Sequence, residues 1–93
     1  MKFTFTVLHA DKESFRETIM GGIVPLGNYN KVATFSKHEC SSLDHCFIQT
    51  QNIHANWCNP PKRSTSVGDL IRDDDSGHYH MVDSCGFKDL GIL

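Results

Sequence analysis

The chain has 93 residues, of which 39% are hydrophobic and 22% charged. This size supports one hydrophobic core and excludes a second, and the composition excludes wholesale disorder, so residues 1–93 are predicted to form a single domain. The formal net charge is −2, from nine basic and eleven acidic residues. The basic residues are scattered along the sequence, whereas binding to a nucleic-acid backbone requires a clustered basic surface, so nucleic acid is not the predicted partner.

Two features of the sequence bear on the compartment. The first ten residues hold a short apolar run interrupted by Thr4 and Thr6, unlike the continuous apolar segment of a secretory signal, and no stretch reaches membrane-spanning length. We therefore expect a cytoplasmic protein with no membrane partner, in which the cysteines stay as free thiols. The alternative is a disulfide framework, for which four cysteines allow three pairings. The cysteines are Cys40, Cys46, Cys58 and Cys85.

The N-terminal half predicts a strand, a helix and a second strand. Residues 3–8 alternate between apolar residues and threonines, the period of a half-buried strand. Asp11 is predicted to cap a short helix over residues 12–20, which the glycine pair at 21–22 ends. A loop with Pro25 and Gly27 follows, and the segment KVATF predicts the second strand.

The C-terminal half predicts a helix and a hairpin. Apolar residues at helical spacing predict a helix over residues 42–51, with Ser41 as its cap. A connecting loop anchored by Trp57 follows. The runs TSVGDLI and HYHMVDS predict two strands joined by RDDDSG, a solvated turn, and GFKDLGIL forms either a last strand or a packed tail. The order β-α-β-α-β-β is an α+β fold with a mainly antiparallel sheet and two short helices. Leu70 and Ile71 are both apolar, which leaves the hairpin register open.

The predicted hairpin also carries the side chains of a possible catalytic triad. Ser66 (or Ser64) would be the nucleophile, His80 the base, and Asp69 or Asp83 the group that orients it. No G-x-S-x-G elbow is present. The alternative is that Gly68 takes a positive φ before the strand and that Asp69 accepts backbone N–H groups in the turn. We predict this second role, and therefore no catalysis.

The sequence also contains candidate ligands for a metal ion and candidate anchors for a protein partner. The best zinc ligand set would be His38, Cys40, His54 and Cys58, but none of the spacings is C-x₂-C, and buried cysteine as a small apolar side chain is the simpler interpretation. No metal and no cofactor is therefore predicted. Candidate anchors for a protein partner are aromatic or arginine side chains. They are Trp57, Tyr29, Tyr79 and Arg63.

Four segments together resemble the YodL-like domain: NYNKVATF, LDHCFIQTQN, RSTSVGDLI and YHMVDSCGF. The likeness covers about residues 28–90. The family motifs N-Y-x-x-V, L-x-x-x-F, S-L-S-V-S-D-V-I and Y-x-V-D-S-x-G-F fall on matching positions. These are Asn28, Tyr29, Val32, Leu43, Phe47, Ser64, Ser66, Val67, Asp69, Ile71, Tyr79, Val82, Asp83, Ser84, Gly86 and Phe87. Gly68 departs from the family, which often has serine there.

The resemblance implies a setting rather than a reaction. YodL-like domains occur in phages, plasmids and conjugative elements, often in proteins thought to counter host defences. We therefore expect a small accessory protein that binds a host or phage protein by surface occlusion, of which an anti-defence inhibitor is one form. The alternatives are a minimal enzyme that acts on a nucleotide or small metabolite through the hairpin, and a zinc-stabilised binding module. The sequence does not specify the oligomeric state.

Overall fold

A computed structural model describes residues 3–20, 25–51 and 62–93, which form five strands and two α-helices. The elements in chain order are β1 (Thr4–Ala10), α1 (Phe15–Ile19), a 3-10 turn (Leu26–Asn28), β2 (Tyr29–Ser36), α2 (Leu43–Gln49), β3 (Leu70–Asp73), β4 (His78–Asp83) and β5 (Gly86–Gly91). The predicted α+β class and element order are confirmed, and the final segment forms β5. Within these described ranges, no helix is long and apolar enough to span a bilayer.

The strands form one antiparallel sheet in the order β2-β1-β3-β4-β5. In the β3–β4 hairpin Leu70 lies opposite Met81 and Ile71 opposite His80. β3 occupies the centre of the sheet, between β1 and β4. Its two apolar residues therefore belong to opposite faces, and both are buried, which is why their pattern left the register open.

Each face of the sheet has its own apolar cluster. On the face covered by α2, Ile71 packs with Phe5, Val7 and the buried thiols Cys40 and Cys46. On the other face, Leu70 packs in a second cluster whose buried members also include Ala10, Tyr29 and Met81. Because Ile71 and Leu70 belong to different clusters, β3 takes part in both halves of the core. Full burial of each of these side chains contributes about 1.5–3 kcal/mol to the stability of the fold.

The first helix is shorter than predicted because the residues before it form a separate turn. α1 begins at Phe15, and Ser14 is its N-cap without a side-chain hydrogen bond. Asp11 Oδ1 accepts a hydrogen bond from Ser14 N at 2.8 Å. Asp11 therefore closes the preceding turn and does not cap the helix, which corrects the prediction.

The second helix also starts one residue later than predicted and is two residues shorter at its end. Ser42, and not Ser41, is the N-cap: its Oγ accepts a hydrogen bond from His45 N at 3.1 Å. Cys46 lies fully buried on the inner face of α2, while His45 is half-buried. These two neighbouring side chains therefore lie on different sides of α2.

The acidic turn between β3 and β4 was predicted to be solvated, and this prediction is wrong for Asp74. The Asp74 side chain is 6% exposed. Its carboxylate accepts hydrogen bonds from Thr4 Oγ1, Thr6 Oγ1 and Arg72 Nη1. Burial alone would raise the pKa of Asp74, but these three donors together lower it below the ordinary value. The turn is therefore attached to β1.

Most of the segment TSVGDLI, which was predicted to be a strand, lies before β3 and contains a turn. β3 begins at Leu70, because Asp69 N donates to Ser66 O at 3.0 Å and closes a tight turn. Gly68 adopts φ +93°, so the predicted positive φ is confirmed. A Cβ at this position would collide with the backbone carbonyl of Thr18 at the end of α1. Gly68 therefore permits both the turn and the approach of α1.

Candidate functional site

The first candidate site is the ion pair between Arg63 and Asp69 at the end of β1. Arg63 Nη1 donates to Asp69 Oδ2 at 2.6 Å and Nη2 donates to Oδ1 at 2.8 Å, a bidentate arrangement. Asp69 also accepts hydrogen bonds from Ala10 N at 3.0 Å and Ser66 N at 2.9 Å, and its side chain is 0% exposed. Both carboxylate oxygens are thus engaged, and the pair joins the turn before β3 to the end of β1.

Of the triad candidates Ser66, His80, Asp69 and Asp83, the structure brings together only Ser66 and Asp69. Ser66 Oγ lies 3.4 Å from Arg63 Nη1, next to Asp69. His80 lies within β4, with its ring centroid 6.5 Å from that of His78. Asp83 is exposed at the end of β4, where its Oδ1 accepts from the backbone N–H of the next residue at 2.8 Å. The hydrogen bonds of the described residues do not link His80 to Ser66, Asp69 or Asp83, so a nucleophile-base pair is not formed there.

His9, which was not among the candidate site residues, is buried close to Asp69. His9 Nε2 lies 2.8 Å from Thr65 Oγ1 and 3.9 Å from Asp69 Oδ2. A catalytic triad requires the hydroxyl and the carboxylate on different ring nitrogens, whereas here both lie near Nε2. The residue could have been found by continuing the alternation of Phe5 and Val7 to position 9, beyond the predicted end of the strand.

Burial controls the charge of His9. Its exposed fraction is 4%. The pKa of His9 is lowered from 6.5 to about 4, chiefly by burial; Asp69 acts in the opposite direction, and Arg63 and Lys62 lower it further. The imidazole is therefore neutral at physiological pH.

This lowered pKa predicts a specific acid sensitivity. Between pH 6.5 and about 4 the unfolded chain binds a proton at His9 that the folded chain does not bind. We expect the free energy of unfolding to decrease as the pH falls through this window, by about 3 kcal/mol in total, and to change little from this cause above pH 6.5. Urea denaturation at a series of pH values measures the slope. In His9→Gln the slope should be shallower, while His38→Gln, at an exposed position, should keep it; equal slopes would contradict this.

The second candidate site is an open groove between α2 and the β4–β5 turn, here called the α2 groove. Its volume is about 290 Å³. Apolar side chains form its floor and two exposed carboxylates, Asp44 and Asp83, lie at its rim. The lining residues are Asp44, Phe47, Val67, Val82, Asp83, Ser84, Gly86 and Phe87. A groove of this kind fits an apolar side chain flanked by a cation.

The remaining candidate side chains have the following positions. Tyr79 is half-buried against the second core cluster, with Arg72 over its ring at 5.6 Å, so it packs within the protein. Tyr29 is buried and donates to Gly68 O at 3.3 Å; burial, and secondarily Asp69, raise its pKa. Arg63 lies over the Phe15 ring at 4.3 Å. Trp57 lies outside the described residues.

Half of the predicted zinc set also lies outside the described residues, namely His54 and Cys58. Of the other half, His38 is exposed while Cys40 is buried in the same core cluster as Cys46. Burial raises the pKa of Cys40, which disfavours the thiolate that binds metal. Residues 3–20, 25–51 and 62–93 contain no group of three or more metal-ligating side chains.

No protein-family model, curated protein or solved structure matches this chain. The resemblance to the YodL-like domain therefore stays a prediction. All eight described residues that line the α2 groove belong to the segments on which that resemblance depends, and seven of them, all but Asp44, occupy motif positions.

Proposed function

We propose that this chain is a small accessory protein of phage or mobile-element type that binds a host protein and covers part of its surface, without catalysis. The observation that carries the proposal is the α2 groove, in which segments far apart in sequence combine to form an apolar floor and an acidic rim. The proposed partner presents an apolar side chain to the floor and a lysine or arginine to Asp44 and Asp83.

Two further observations support binding over chemistry. Asp69 is saturated by Arg63 and by backbone N–H groups, and this carboxylate is therefore not available as a base. The proposed setting is the host cytoplasm, with which the free, buried core thiols Cys40 and Cys46 are compatible. Inhibition of a host defence system is one form of the proposal and is supported by the resemblance alone.

A charge reversal at the groove rim tests the proposal. The variant Asp44→Lys/Asp83→Lys changes two exposed residues of the α2 groove, and the matched control Glu13→Lys/Glu17→Lys makes the same charge change at two exposed positions, one just before α1 and one within it. Tagged wild type, variant and control are incubated with host lysate, and the captured protein is identified by mass spectrometry. Binding to that purified protein is then measured by calorimetry.

We expect the wild type and the control to bind the partner with equal affinity and the groove variant to bind about tenfold or more weakly, because both rim charges would repel a basic side chain. Equal melting temperatures establish that all three are folded. Equal binding by the groove variant would show that the partner uses another surface. Enrichment of no protein over the tag alone would contradict the proposed function itself.

A further inference from the structure

The sheet end opposite the acidic turn carries a basic pocket, defined here by Lys12, Lys31, Lys62 and Arg63, which line one cavity of about 270 Å³. Lys12 follows β1, Lys31 lies in β2 opposite Leu8, and the other two precede the turn at Gly68. Four of the nine basic residues thus meet at one place, although they are scattered in the sequence. The basic residues are scattered along the sequence, but these four lie close together in the folded chain.

The lysines of the basic pocket have no carboxylate partner. Among the described residues, Lys37 alone of the lysines forms ion pairs, with Asp73 at 2.8 Å and Asp75 at 2.6 Å. Residues 1–2, 21–24 and 52–61 contain no aspartate or glutamate, so all eleven acidic side chains of the chain belong to the described part. The one carboxylate in the pocket lining, Asp11, accepts a hydrogen bond from Ser14 N.

The two ends of the sheet therefore differ in how their charges are compensated. At the acidic turn, Lys37 and Arg72 are paired with aspartates. At the basic pocket, Asp69 compensates Arg63, while three ammonium groups share one concavity with a single further carboxylate, Asp11, and form no ion pair among the described residues. Like charges repel one another. The three lysines form no ion pair with a described residue that would offset this repulsion. In a chain with net charge −2, it indicates a place for an external anion.

We propose that the basic pocket binds a small phosphate-bearing ligand, of the nucleotide or phosphorylated-metabolite class. A phosphate group is a compact, multiply charged acceptor, and lysines bind it as point charges. Asn30 also lines the pocket and offers an amide donor. The cavity is at the small end of the range for ligand sites, so it holds the phosphate part and leaves the rest of the ligand toward solvent.

The geometry favours a small anion over a nucleic-acid strand. Strand binding uses a positive groove that follows the backbone over several nucleotides. Beyond the pocket, Lys37 and Arg72 are neutralised by the acidic turn and do not extend a basic path. The basic pocket shares no residue with the α2 groove, so this inference is independent of the proposed function.

The test uses the full chain and three probes: pyrophosphate, ADP and a short single-stranded oligonucleotide. Lys12→Gln/Lys31→Gln removes two exposed charges from the basic pocket, and Arg16→Gln/Lys88→Gln removes two exposed charges elsewhere. Dissociation constants come from NMR titration at fixed ionic strength, and melting temperatures verify folding. For pyrophosphate or ADP, we expect saturable binding that the pocket variant weakens about tenfold and the control less than about twofold.

The two supporting outcomes also distinguish the source of the phosphate. Tighter binding of ADP than of pyrophosphate identifies a nucleotide, and equal binding identifies the phosphate group alone as the recognised part. Three results would overturn the inference. They are no saturation by either probe up to about 10 mM, equal weakening in the pocket variant and the control, and tighter binding of the oligonucleotide than of ADP and pyrophosphate.

Discussion

Replacing Arg63 with methionine is expected to lower the free energy of unfolding by about 3 kcal/mol at neutral pH. The substitution keeps the aliphatic stem but leaves the Asp69 carboxylate buried with only the N–H groups of Ala10 and Ser66 as donors. Loss of one partner from a buried pair costs about 3–5 kcal/mol, and the lower figure applies because the Arg63 side chain is 32% exposed. Urea denaturation measures the change.

Two further variants distinguish the effect of breaking the Arg63–Asp69 ion pair from the effect of removing an arginine side chain. Arg16→Met, at an exposed position in α1, should change stability by less than about 0.5 kcal/mol. The double variant Arg63→Met/Asp69→Asn should be more stable than the sum of the two single changes predicts, because it no longer buries an unpaired charge. A loss below about 1 kcal/mol in Arg63→Met would mean that the pair contributes no more than a surface ion pair does.

Replacing Gly68 with serine is expected to cost about 2–5 kcal/mol, from two separable causes. A residue with a Cβ at φ +93° is strained by about 1–2 kcal/mol, and the Cβ must in addition displace the backbone of Thr18. Forcing extra atoms into a packed place typically costs about 1–3 kcal/mol more. A domain of this size has only about 5–15 kcal/mol of stability, so thermal unfolding should shift strongly.

Gly91 offers a matched control for the Gly68 prediction. Its φ is +76°, and a Cβ there would meet no atom within 4 Å. Gly91→Ser should therefore show the backbone cost alone, about 1–2 kcal/mol. Equal effects of the two serine variants would show that α1 withdraws easily from the turn. Since YodL-like domains often have serine at the position of Gly68, a stable Gly68→Ser variant would also favour that resemblance over the packing described here.

The two proposed binding sites have no described lining residue in common. His9 lines the basic pocket and lies close to Thr65 and Asp69, while the α2 groove lies between α2 and the β4–β5 turn. Loss of binding at one site with retention of stability can thus be assigned to that site. This makes the groove variant and the pocket variant independent tests.

Local patterns in the sequence were sufficient for most of the secondary structure. The alternation through Phe5 and Val7 predicted β1, and the spacing of Leu43 and Cys46 predicted α2, because both depend on which face of one element is apolar. Element ends were less accurate. Asp11 and Ser41 had plausible capping chemistry, but neighbouring serines took the N-cap positions.

The sequence by itself determined the fold class, the element order and the positive φ at Gly68, since propensity and periodicity act over a few residues. Only the tertiary structure decided the candidate sites. His9 meets Thr65 across 56 positions, and Lys12, Lys31 and Lys62 converge, because the strand order places β1 between β2 and β3. No local pattern encodes that order: it follows from burying both faces of β3 at once, a condition on the whole chain.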